Sequence, residues 1–167
     1  MAKLRSDFDT LVSALSPELF RYAMGLCHNR DTAEDLVQET FLRGWRSRAD
    51  LRDTQAARAW LYTILRNEHA RLYERRRPVT ADPADLPDLP VRGYDTSAEA
   101  FAMRRALARL GADYRDPLLL QVIGGFSCKE IGEMLGLNTN TVLTRLFRAR
   151  KTLREQLGDS RPLEARR

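Results

Sequence analysis

The side chains best suited to chemistry in this sequence are the cations and hydroxyls of NTNTVLTRLFRARKTLRE, residues 138–155. Val142, Leu146, Ala149, Leu153 and Leu157 fall at spacings of four, three, four and four, one apolar helical stripe. Thr141, Thr144, Arg145, Arg148 and Lys151 occupy the remaining faces, beside Leu143 and Phe147. A guanidinium on such a face can read a base edge or neutralise a phosphate. A shorter helix should precede it. Ser127 and Glu130 form an S-x-x-E capping box, Ile131 and Leu135 its buried face, and Gly136 its stop. Asn138 and Thr139 can cap the second helix, and Gly132 falls where the two helices would cross most closely. The whole reads as a helix-turn-helix whose second helix can enter a DNA major groove.

A second cationic surface is expected between Thr54 and Arg77. Arg66, Arg71, Arg75, Arg76 and Arg77 are interleaved there with Trp60, Tyr62, His69 and Tyr73. Arginine attracts phosphate and aromatic faces stack on unpaired bases, so the combination suits melted DNA better than intact duplex. Trp60 lies on the apolar stripe of this helix with Ala57, Leu61, Ile64, Leu65 and Leu72. Arg58, Tyr62 and Asn67 are therefore its better contact candidates.

Catalytic candidates are weak. The only histidines, His28 and His69, have no metal-ligand spacing, and no glycine-rich phosphate loop occurs. Cys27 and Cys128 are too far apart in sequence to suggest a disulfide framework or a zinc motif. Lys129 beside Cys128 could depress its thiol pKa, but a cysteine there is more often a small packing residue.

Positioning these surfaces requires helices. Ser16-Pro17-Glu18 predicts one start, running to about Cys27 and burying Leu19, Ala23 and Leu26. Asp31 predicts the next as an acidic cap, with Ala33, Leu36, Val37, Phe41 and Trp45 buried as far as about Arg48. Asp35, Gln38, Glu39, Leu42 and Arg46 occupy its opposite side. A third helix spans about Thr54 to Arg77. Residues 78–97 hold four prolines, one glycine and four aspartates, which breaks helices and marks a linker. Period resumes at Ala98 with Phe101, Ala102, Ala106 and Leu110, and a further helix covers about Tyr114 to Ile123. Residues 158–167 read as a polar tail.

The 167 residues carry a formal charge of +5 and a sequence pI near 9.6, unevenly spread. Residues 1–77 have 14 Lys and Arg against 11 Asp and Glu, residues 78–97 have 1 against 4, and residues 98–167 have 13 against 8. Two basic blocks thus flank an acidic one, as an anionic partner would favour. No signal peptide is evident and no apolar run approaches the roughly 20 residues of a membrane span. A soluble, cytoplasmic protein is expected. Its fold class is all-α: two small helical domains, 1–77 and 98–167, joined by a Pro/Asp-rich linker at 78–97.

Three segments in this order, DTAEDLVQETFLRGW, RAWLYTILRNEHARLYERRR and FSCKEIGEMLGLNTNTVLTRLFRARKTLRE, resemble regions 2 and 4 of the extracytoplasmic-function class of bacterial sigma factors. The resemblance spans about residues 8–157. It implies a region 2 bundle that binds core RNA polymerase and opens the −10 element, and a region 4 helix-turn-helix that reads the −35 element. It places polymerase contact on Asp35, Gln38, Glu39 and Leu42. It places −10 contact on the loop from Asp50 to Ala57 and on Arg58, Trp60, Tyr62, Asn67 and Arg71. It places −35 contact on Leu143, Thr144, Arg145, Phe147, Arg148 and Lys151. The acidic linker would lie in the RNA path. The implied partners are bacterial core RNA polymerase, promoter DNA and an anti-sigma factor. No cofactor, metal, small-molecule substrate, catalytic residue or direct membrane insertion is implied, and the protein would not itself be an enzyme. Leu143 stands where the family usually has lysine or arginine, Asn140 where glycine is usual, and Arg71 where aspartate is common; these departures bear on promoter sequence. The competing reading is an autonomous helix-turn-helix regulator, which would require neither the basic aromatic helix nor the acidic linker.

Overall fold

The computed structural model describes residues 2–48, 54–75 and 97–158, which form seven α-helices with no strand among them. The chain divides into two compact units, Met1–Val79 and Thr80–Arg167. Most of the Pro/Asp-rich stretch, residues 49–53, Arg76, Arg77 and all of the polar tail after Gly158 lie outside the described residues.

The first unit is a three-helix bundle of α1 (Ala2–Cys27), α2 (Arg30–Arg46) and α3 (Thr54–Arg75), each packed on the other two. Pro17 does not start α1; it lies inside it. An interior proline removes one helical hydrogen bond and costs about 3 kcal/mol. Tertiary packing holds the turns on both sides of it. Upstream, buried Phe8 meets Trp45 edge-on with ring centroids 5.3 Å apart, and downstream Leu19 and Tyr22 are fully buried. α1 ends at His28, whose φ of 54° places it in the left-handed region and whose N–H donates to the Met24 carbonyl at 2.9 Å. The cap of α2 is then Asn29, not Asp31: its side-chain oxygen accepts from the Thr32 N–H at 2.9 Å.

The buried stripe of α2 is Ala33, Leu36, Val37, Thr40 and Gly44. It is displaced from the expected one, because Phe41 and Trp45 are only half-buried. Thr40 is tolerated inside because its hydroxyl donates to the Leu36 carbonyl at 2.6 Å. Gly44 is where α2 meets α3 closely, since a Cβ there would lie 3.0 Å from Leu61 Cδ2.

The second unit contains α4 (Ala98–Arg109), α5 (Ala112–Val122), α6 (Cys128–Leu135) and α7 (Thr139–Gly158). α7 is its hub, packing on all three others. Ser97 caps α4 by accepting from the Ala100 N–H at 3.1 Å. The capping box of α6 is present in both directions: Ser127 Oγ accepts from the Glu130 N–H at 3.2 Å, and Glu130 Oε2 from the Ser127 N–H at 2.8 Å. Gly136 ends α6 at φ 67°, and Asn138 Oδ1 accepts from the Thr141 N–H at 2.8 Å to start α7. Gly132 owes its small size to the turn, not to a helix crossing. A Cβ on it would sit 2.6 Å from the Leu137 carbonyl oxygen.

Candidate polymerase and nucleic-acid interfaces

On α2, Asp35 and Gln38 are exposed and Leu42 is 50% exposed, a large apolar side chain in water. Glu39 is held by the Arg43 guanidinium at 3.0 Å, and the same guanidinium reaches Glu68 of α3 at 2.9 Å. Leu42 and Gln38 border a groove of about 670 Å³ that Phe8, Asp9, Phe41 and Trp45 complete. Arg48 lies over the Trp45 ring at 3.8 Å from its centroid. The displaced stripe therefore leaves an apolar cleft beside the polar residues expected to meet the polymerase. The signal for it was the pair of small residues Thr40 and Gly44, which carry little hydrophobic weight and so do not register in an apolar period.

On α3 the structure separates the expected −10 residues. Tyr62 is fully buried, which removes it from any nucleic-acid surface. Its ring packs on Tyr22 at 4.7 Å, and its hydroxyl donates to Glu18 Oε1 at 2.9 Å. Burial, then this hydrogen bond, pushes its phenol well above the usual tyrosine range. Arg58 is half-buried, its Nε 2.7 Å from the same Glu18 oxygen. Trp60 is half-buried. Asn67 and Arg71 are exposed, with Arg71 Nη1 3.2 Å from Glu68. The aromatic ring that this helix does offer to solvent is Tyr73, 72% exposed, with His69 beside it at 6.4 Å between centroids. Tyr62 and Tyr73 were both visible as interleaved aromatics. Only packing against α1 distinguishes them, and a single helix's period does not contain it.

On α7, Val142, Leu146, Ala149 and Leu153 are buried. Leu143, Thr144, Phe147, Arg148 and Lys151 are exposed. Arg145 stands apart from them. Its Nη1 lies 3.2 Å from Asp113 Oδ1 and 3.5 Å from the Asp113 carbonyl oxygen. Pro117, four residues on within α5, has no N–H to give that carbonyl. The guanidinium of Arg145 thus braces the first turn of α5 while keeping part of itself at the surface.

Residues 11–79 match the Sigma-70 region 2 family and residues 100–153 the Sigma-70 region 4 family. The chain is 35% identical over 156 residues to the ECF RNA polymerase sigma factor EcfG of Rhodopseudomonas palustris, covering 90% of this chain and 82% of that protein. This chain belongs to the extracytoplasmic-function class of the sigma-70 family. It is also 34% identical over 152 residues to the ECF sigma factor SigL of Mycobacterium tuberculosis, covering 86% of each. Its backbone is similar to the structure of the sigma factor RpoE in complex with the anti-sigma factor NepR from Bartonella quintana. There the TM-score is 0.72 at 30% identity, over 93% of this chain and 99% of that one. In this sigma factor the region 2 match carries the α2 cleft and the α3 face, and the region 4 match carries the outward face of α7. Among the described residues, no group of His, Cys, Asp or Glu could hold a metal ion, and no helix is long and apolar enough to cross a membrane.

Proposed function

We propose that this protein is the promoter-specificity subunit of RNA polymerase for a limited set of genes, with each contact made by a separate helix. Asp35, Gln38, Glu39 and Leu42 meet the core enzyme, with the cleft beside Leu42 taking an apolar side chain from it. Arg58, Trp60, Asn67 and Arg71, joined by Tyr73, hold the opened −10 strand. Leu143, Thr144, Phe147, Arg148 and Lys151 read the −35 element, with Arg145 as a braced neighbour. The protein has no catalytic chemistry of its own and acts in the cytoplasm. An anti-sigma factor restrains it, as the complex of RpoE with NepR suggests for a similar chain. The observation that carries this reading is the clean division of α7: its buried stripe leaves large apolar and cationic groups in solvent on a helix that follows a well-formed turn.

The test is run-off transcription with purified core polymerase on genomic DNA, followed by mapping of start sites. Start sites sharing two spaced sequence elements are expected. Tight duplex binding without polymerase, and no added initiation with it, would instead describe an autonomous regulator.

Leu42→Asp should leave the melting transition of the first unit within about 0.5 kcal/mol of wild type, as exposed substitutions do. It should weaken co-purification with core polymerase. Unchanged recovery of core would remove this helix face from the interface.

Asp113→Asn tests the bracing of Arg145. Freed from its partner, the guanidinium can take a phosphate, and the slope of log affinity against log salt should steepen by about 0.9. The same change made in an Arg145→Ala background should then leave the slope alone. An equal effect in both backgrounds would mean that Asp113 acts only as a surface charge.

A further inference from the structure

We infer that Leu143 and Phe147 recognise the 5-methyl groups of thymine, so that the DNA element read by α7 requires thymine at one or two adjacent positions. This rests on the −35 assignment made above and adds the base that it selects. The two side chains are four residues apart and share one helix face. They are 50% and 64% exposed. The unit does not need them for its core, because the buried stripe of this helix is Val142, Leu146, Ala149 and Leu153. Leucine has neither donor nor acceptor, so it cannot read a hydrogen-bonding edge. In the major groove thymine alone presents a methyl group, and that is the feature an aliphatic side chain can distinguish.

The surroundings favour DNA over an apolar protein as the occupant. Thr144, Arg148 and Lys151 flank the pair. Across Thr139–Gly158 the charges are Arg145, Arg148, Arg150, Lys151 and Arg154 against Glu155 alone. A cationic rim places phosphates on both sides, and the apolar pair then faces base edges between them.

The experiment uses holoenzyme, core polymerase with the full chain, on a duplex promoter found by start-site mapping. Each thymine of the −35 segment is replaced singly by deoxyuridine, which removes the methyl and keeps the pairing edge. At one or two neighbouring positions the replacement should weaken binding about 3- to 5-fold, the factor expected for one buried methyl. Leu143→Ala and Phe147→Ala holoenzymes, checked for wild-type helicity, should lose that discrimination. Uracil tolerated at every position by a holoenzyme that still initiates there overturns the proposal. So does discrimination that survives both alanine variants while capture of an anti-sigma factor fails, since the face would then be a protein surface. A holoenzyme whose initiation ignores the −35 segment altogether overturns the −35 assignment and this proposal together.

Discussion

Leu146→Ala is expected to destabilise the second unit strongly while leaving the stability of the first unchanged. Leu146 is 1% exposed and lies mid-stripe on the helix that every other helix of its unit packs against. Deleting a buried leucine to alanine costs about 2–5 kcal/mol, against about 5–15 kcal/mol for the whole stability of a domain. The chain offers a clean readout, because both tryptophans, Trp45 and Trp60, belong to the first unit. Far-ultraviolet circular dichroism should lose the second unit's helical amplitude at lower denaturant, with the tryptophan-fluorescence transition unmoved. Leu143→Lys, three residues earlier and exposed, should shift neither. A destabilisation of several kcal/mol by Leu143→Lys would mean that the faces of α7 are rotated from the assignment made here.

Tyr62→Ala should cost the first unit about 3–5 kcal/mol, the range for a large buried ring. It should act through folding, since Tyr62 is fully buried against Tyr22 and Glu18. Tyr62→Phe keeps the ring and loses only the bond to a carboxylate, worth about 1.5–3 kcal/mol. Glu18 retains Arg58 in that variant. The pH dependence has a definite sign. The folded-state phenol pKa lies above its unfolded value, so its contribution is fully present below pH about 10 and is lost as the pH rises further. Denaturation followed by tryptophan fluorescence should show a stability loss at alkaline pH that is smaller in Tyr62→Phe. Equal alkaline losses in both proteins would place the titrating group elsewhere.

What was legible in the sequence was whatever a single helix decides for itself. The capping box of Ser127 and Glu130, the stop at Gly136 and the stripe from Val142 to Leu153 all depend on neighbours within a turn or two, and all are present. What was not legible depends on a second helix. Pro17 looks like a start because proline suits a first turn, but the Phe8–Trp45 contact extends the helix through it. Phe41 and Trp45 look like core because they are large. Gly44 is the residue that lets α3 approach, and Thr40 shares its buried stripe. Tyr62 looks like a nucleic-acid contact because it sits among arginines, until α1 supplies Tyr22 and Glu18 to receive it. Arg145 reads as one more cation of a reading face, and Pro117 in α5 explains why it is partly committed elsewhere.

The 2.6 Å that separates a hypothetical Gly132 Cβ from the Leu137 carbonyl has an evolutionary consequence. No other amino acid fits at that joint without moving backbone, so a lineage cannot adjust the elbow angle by substitution there. The outward positions of α7 carry no such restriction, because none of them belongs to the buried stripe. If those positions read the −35 element as proposed above, a gene copy can drift toward new promoters one outward residue at a time, with each intermediate still folded. Duplicates of such a protein can part company in the genes they serve while remaining alike in architecture.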